Sequence, residues 1–216
     1  MSFEPERMRA RLLGAKSERL MLREPRLGDA IDLFEATRHP AFNEHLMWDA
    51  PPDLAAVRQR MQRVIDRAQA GACAAFAAIE RATGRWAALF RFEPRGEQAS
   101  SAELGLWAHP SYWGAGFGEE VTRLAIEQAF AKTELDAVVA CAKPAHKISM
   151  RLLERCGLEP IGLAPRAHES GYSVPLMQMV LTRTRWTWLR TESISGWMPE
   201  PVEIAEPMDV PQRLQA

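Results

Sequence analysis

The stretch from Glu103 to Phe130, E-L-G-L-W-A-H-P-S-Y-W-G-A-G-F-G-E-E-V-T-R-L-A-I-E-Q-A-F, constrains this chain most. Ala102, Leu104, Leu106 and Ala108 alternate with Glu103, Gly105 and Trp107, the period of a half-buried strand. His109-Pro110-Ser111 closes that strand, because proline cannot donate to a ladder. Gly114, Gly116 and Gly118 then alternate through a turn. From Glu119 the pattern becomes helical, with Val121, Leu124, Ala125 and Ala129 on one side and two acids in the first turn. Glycines let a backbone come close to a ligand, and the unpaired amides at a helix start suit a phosphate or diphosphate. The turn is neither G-x-x-x-x-G-K-[ST] nor G-x-G-x-x-G, so it fits neither a nucleoside-triphosphate loop nor a dinucleotide fingerprint.

The same stretch resembles the GCN5-related N-acetyltransferases, whose [QR]-x-x-G-x-[GA] loop falls here on Trp113-Gly114-Ala115-Gly116-Phe117-Gly118. Tryptophan stands where Gln or Arg is usual. That departure is shared by the RimJ/RimL-like subgroup, whose longer pattern E-x-G-[YL]-W-x-x-P-x-Y-W-G-x-G-[YF]-[AG]-x-E this chain matches closely. Leu22 to Asp29 is similar to the subgroup's opening L-R-x-x-x-x-x-D step. Ala145 to Leu158, A-H-K-I-S-M-R-L-L-E-R-C-G-L, resembles N-x-x-S-x-R-x-x-E-K-x-G-F, with His146 in place of Asn. The resemblance covers about residues 18–182.

The resemblance implies an α/β acyl-coenzyme A N-acyltransferase fold: a mixed, mostly antiparallel sheet of about seven strands with helices on both faces. It implies acetyl transfer from acetyl-coenzyme A to a primary amine, a protein N-terminus or a small molecule, by direct attack in a ternary complex. The co-substrate contacts it implies are the backbone at Leu106, Trp107 and Ala108, the loop Trp113, Gly114, Ala115, Gly116, Phe117, Gly118 and Glu119, and His146. A free amide near Leu106 to Ala108, exposed by a strand bulge, would steady the thioester oxygen. Glu103 holds the position of a base; its alternative is a strand carboxylate in an ion pair. Leu153 stands where many relatives carry an acidic tyrosine, which leaves Ser149 as the acid or as a simple hydrogen-bonding contact. The imidazole of His146 either substitutes for the missing Asn as a donor or is a loop histidine satisfied by water.

Elsewhere the residues suggest ordinary elements. Residues 1–16 read as a lead-in helix or frayed end and 19–23 as the first strand. Asp29 is expected to cap a helix that buries Ile31, Leu33 and Phe34. The loop 39–52 carries exposed-looking bulk in Phe42, His45, Met47 and Trp48. Pro51-Pro52-Asp53 opens a helix stopped by Gly71, and residues 72–80 and 85–92 flank a hairpin turn at Ala82-Thr83-Gly84. A polar turn comes next, over 95–100. Residues 136–142 suggest a strand, and 147–156 a helix with Ile148, Leu152 and Cys156 inward and Gly157 just past its end. Final strands are expected over 158–163 and 176–182, joined through Gly171 and Pro175. Trp186 and Trp188 among arginines suggest a strand end or helix covering the core. The organisation expected is a domain over 17–190 with a proline- and acid-rich tail over 191–216, and the acceptor pocket is expected from the loops 40–53 and 164–175.

Twenty-seven basic and 28 acidic residues leave a formal charge of -1, so no broad attraction to nucleic acid is expected. No apolar run is long enough for a membrane span, and no signal core is visible at the start. The three cysteines, Cys73, Cys141 and Cys156, suggest buried thiols in a reducing cytoplasm rather than disulfides. No histidine has metal-ligand spacing, so no metal is expected. A homodimer is left open. The rival reading is a non-catalytic coenzyme A-binding module.

Overall fold

The computed structural model describes residues 3–95 and 100–192. Strands β1 (Leu20–Arg23), β2 (Ala74–Glu80), β3 (Trp86–Arg95), β4 (Ser101–Ala108), β5 (Ala137–Ala142), β6 (Glu159–Ala167) and β7 (Ser173–Thr182) form one sheet in the order β1-β2-β3-β4-β5-β7-β6. Every pairing is antiparallel except β4 with β5. That parallel ladder is short: it ends at Glu103 opposite Val139, although β4 continues to Ala108 and β5 to Ala142. The two strands therefore separate towards their C-terminal ends.

Helices α1 (Pro5–Leu12), α5 (Phe117–Lys132), α6 (Lys147–Arg155) and α7 (Arg183–Glu192) cover one face, and α2 (Ala30–Thr37) and α4 (Leu54–Gln69) the other. The first face is the larger core, in which Phe76 stacks on Phe90 at 5.1 Å and Phe90 meets Phe92 edge-on. Burying one such ring contributes roughly 1.5–3 kcal/mol. The lead-in folds as α1, whose Met8 and Leu12 are wholly buried in this core. α7 is helical, and Trp186 lies on Phe130 at 5.2 Å. In α4 the buried positions Val57, Met61, Val64 and Ala68 keep the helical period, and Asp53 caps the helix by accepting from the Ala56 amide at 2.8 Å.

Several expectations are corrected. Asp29 does not cap α2 with its side chain; it accepts instead from the Arg26 amide and from both terminal nitrogens of Arg23. Ile31 is exposed, and Ala30, Leu33 and Ala36 form the inward side. The bulk in 39–52 is not exposed: a short helix α3 (Pro40–Asn43) buries Phe42, and Trp48 is buried against Arg60. At α6, Leu152 and the following Cys156 face the core as expected, joined by the buried Leu153, while Ile148 is 76% exposed. The last two strands are longer than expected. Pro175 lies inside β7 opposite Pro165, beyond the point where β5 stops pairing at Ala142 and Met177, so its missing donor removes no bond on that side. The expected tail falls outside the described residues from 193 onward, as do residues 96–99 of the polar turn.

Candidate functional site

The opening between β4 and β5 is bordered by the segments that leave the two strands. After β4 come His109, a short turn at Pro110–Tyr112, the glycine loop and α5; after β5 come Lys143-Pro144-Ala145 and α6. The Trp113 amide donates to the Pro110 carbonyl at 3.0 Å and the Glu120 amide to the Gly116 carbonyl at 3.0 Å. Between them, the amides of Gly114, Ala115, Gly116, Phe117, Gly118 and Glu119 have no well-formed hydrogen bond to any described acceptor. Gly116 is the residue before α5 and has φ +79°, a left-handed conformation that a Cβ resists. This starts the helix at Phe117, two residues earlier than Glu119. At Gly118 a Cβ would meet Leu152 Cδ1 at 2.9 Å, so the missing side chain lets α6 sit against the start of α5.

A charged clamp holds this loop. Arg19 donates from Nη1 to the Ala115 carbonyl at 2.9 Å and from Nε to Glu120 at 2.6 Å, with its guanidinium 4.0 Å from the Phe117 ring centre. Burial would raise the Glu120 carboxyl, but hydrogen bonds from the Ser17 hydroxyl and from the Arg19 amide and side chain hold it below the usual range. Glu119 instead faces Arg123 at 3.0 Å. One predicted contact is corrected: the Trp113 amide is already used, and its indole Nε1 donates to the Ala108 carbonyl at 3.0 Å. Trp113 therefore ties the loop to the end of β4.

Alternation along β4 shows which of its backbone groups face the opening. The His109 amide donates to the Ala87 carbonyl, and the Asp136 amide to the Ser100 carbonyl on the opposite side. In an antiparallel pair the hydrogen-bonding groups of alternate residues point in opposite directions. Trp107 therefore directs its backbone to β3, whereas Leu106 and Ala108 direct theirs towards β5, past the end of the ladder. The register from Ala88↔Ala108 to Arg95↔Ser101 has no shift, so the expected bulge is absent among the described residues. The Leu106 and Ala108 amides face the opening because the sheet separates there.

The side chains of Glu103 and Trp107 lie on the α2/α4 face. Glu103 is an ion-pair hub: Oε1 accepts from Arg166 Nη2 at 2.8 Å, and Oε2 accepts from Arg95 and Arg166 at 2.6 Å each. A carboxylate has about four lone-pair sites, so one on Oε1 is left. Arg95 also reaches Gln178 at 2.8 Å, and both arginines approach Cys141 Sγ. Burial raises the Cys141 thiol, so it is not a nucleophile in waiting. Trp107 packs edge-on against Trp48.

Across the opening, His146 precedes α6 and stacks on His45 at 4.0 Å. Burial, with smaller help from His45 and Lys143 and against Glu44, lowers its imidazole to about 4, so the ring is neutral at physiological pH. Ser149, one turn along α6, is half-buried and has no hydrogen-bond partner among the described residues. Leu153, at the position of the missing tyrosine, is buried in the core. The two expected acceptor loops do meet: the Glu169 amide donates to the Met47 carbonyl at 3.0 Å, and Ser170 bonds Asp49. His109 and His168 are buried, each accepting on Nδ1 from a local amide. Among the described residues no group of three or more histidines, cysteines or acids could hold a metal, and no helix is long and apolar enough to cross a membrane.

The sequence reading missed Arg19, Arg95 and Arg166. Their partners lie far off along the chain, and no local pattern marks them.

The model of the acetyltransferase (GNAT) domain family matches residues 19–159. A curated relative, the uncharacterized N-acetyltransferase p20 of Bacillus licheniformis, is 25% identical over 147 residues, 68% of this chain and 83% of that protein. Among solved structures, spermidine N-acetyltransferase from Vibrio cholerae, in complex with CoA and spermine, has a TM-score of 0.65 at 15% identity, covering 79% of this chain and 99% of that one. RimL, a ribosomal L7/L12 alpha-N-protein acetyltransferase in complex with coenzyme A, has a TM-score of 0.64 at 14% identity, covering 77% and 95%. At these identities the structures are alike in fold.

Proposed function

The chain belongs to the GNAT acetyltransferase family, and from that premise we propose that it moves an acetyl group from acetyl-coenzyme A to a primary amine by direct attack in a ternary complex. The observation that carries this reading is the set of six unpartnered amides, Gly114 to Glu119, at the mouth of the opening between β4 and β5. A run of backbone donors at a helix N-terminus with no well-formed bond to any described acceptor fits a diphosphate. When bound there, acetyl-coenzyme A supplies an activated thioester.

The chain's own groups then have these parts. Gly114 to Glu119 hold the diphosphate, while Arg19 and Trp113 fix the loop that presents them. The Leu106 and Ala108 amides face the opening and would receive charge developing on the carbonyl oxygen. The remaining lone pair of Glu103 Oε1 takes the amine's proton, directly or through water. The half-buried Ser149 hydroxyl donates to the departing sulfur, and the neutral His146 ring donates or accepts at the wall beside it. Holding both reactants in one opening supplies much of the remaining acceleration.

Two observations support the rival binding-module reading: Glu103 is already paired with two arginines, and leucine occupies the tyrosine position. The test incubates the protein and acetyl-coenzyme A with peptides bearing Ala, Ser or Met N-termini, amino acids, polyamines and aminoglycosides, and measures free thiol. Thiol release that depends on the amine is expected. Binding of acetyl-coenzyme A without amine-dependent release across that panel would instead support the binding module.

A further inference from the structure

The charges beside Glu103 indicate what kind of amine the site accepts. On this face Arg67 and Arg91 pair with Glu93 at 2.8 and 3.0 Å, and Arg95 and Arg166 pair with Glu103. Four guanidinium groups thus meet two carboxylates. The rim adds the Arg60–Glu169 pair, which is self-balanced, and Asp49, whose carboxylate accepts from Ser170. The cluster remains net positive. It lies where β4 and β5 part, and it adjoins a shallow hollow lined by Leu89, Phe90, Arg91, Gly105 and Trp107. Gly105 opens that hollow: it stands two residues beyond Glu103, about 7 Å along the same strand face, and has no side chain to fill it.

Arg166 gives its Nη2 to Glu103 and Cys141, but its Nε and Nη1 have no acceptor among the described residues, and its side chain is 42% exposed. A partly exposed guanidinium with spare donors suits an oxyanion. A polycation would meet net repulsion there.

We propose that the acceptor is an anionic amine, one whose amino group is accompanied by a carboxylate or phosphate, and that Arg166 binds the anionic group as a specificity residue. This rests on the acetyltransferase reading. The anionic group orients the acceptor and leaves its amine towards the free lone pair of Glu103. The same chemistry occurs in a free amino acid and in an acidic peptide.

The test compares kcat/KM, from thiol release, for amidated peptides that differ only in Asp/Glu against Asn/Gln after the first residue. Parallel arms use free amino acids against their amides, and spermidine. The wild type is expected to favour the anionic member of a pair by about tenfold, less at high salt. Arg166→Gln should abolish that preference through KM, whereas Arg166→Lys should retain part of it. Thermal unfolding confirms that both variants fold. Preference confined to peptides or to free amino acids identifies the source. Equal use of neutral and anionic amines, preference for spermidine, or an Arg166→Gln variant with unchanged preference would overturn the inference while leaving acetyl transfer intact. Acetyl-coenzyme A binding with no thiol release from any amine would overturn the acetyltransferase reading, and this inference with it.

Discussion

Gly116→Asp is expected to lower the affinity for acetyl-coenzyme A by about two orders of magnitude while the protein still folds. Two effects act together. Gly116 has φ +79°, where any Cβ costs roughly 1–2 kcal/mol, less for aspartate than for most residues. The larger effect is electrostatic. A carboxylate at this position sits among the amides of Gly114 to Glu119, competes for their hydrogens and repels a diphosphate. Gly116→Ala separates the two: its Cβ would find only Arg19 Nη2, at 3.5 Å, so it should show the backbone cost alone and lose far less affinity. Calorimetric titration with acetyl-coenzyme A measures both variants. If Gly116→Asp binds as tightly as the wild type, the loop is not the diphosphate site.

The second large effect is expected at Glu103. Glu103→Gln should reduce kcat by about 10²–10⁴-fold, the contribution typical of a positioned base, with little change in acetyl-coenzyme A affinity. The amide oxygen can still accept from one arginine, but it cannot take a proton. The substitution also leaves the cluster more positive, so KM for an anionic acceptor should not rise. A purely structural ion pair predicts another pattern: a lower melting temperature, kcat near the wild-type value and no change in the pH profile of turnover. That outcome would remove Glu103 from the chemistry.

The range of each interaction decided whether the sequence disclosed it. The organising stretch was legible because its signals are local. The period-2 burial of Ala102 and Leu104, the break at Pro110 and the alternating glycines each act within a few residues. The stops at Gly71 and Gly157 were legible for the same reason. On α6 Ile148 was misread as inward in place of Leu153, because both are apolar and only packing decides between them. β6 is an exposed edge strand, so it lacks the burial alternation that would mark its length. The charge clusters were not legible at all. Arg166 lies 63 residues from Glu103, and Arg19 lies 101 residues from Glu120. The meeting of Arg166 and Glu103 depends on the strand order, which places β7 beside β5 and β6 beyond it. The separation of β4 from β5 was equally hidden, since nothing in either strand's composition marks where pairing stops.

The most direct test of the account is the amide spectrum of the isotopically labelled protein during titration with acetyl-coenzyme A. The six amides from Gly114 to Glu119 should shift downfield together as they acquire phosphate acceptors. Those of Trp113 and Glu120, already bonded to Pro110 and Gly116, should move much less. Saturable binding that leaves Gly114 to Glu119 unshifted, or no binding at all, would contradict the account.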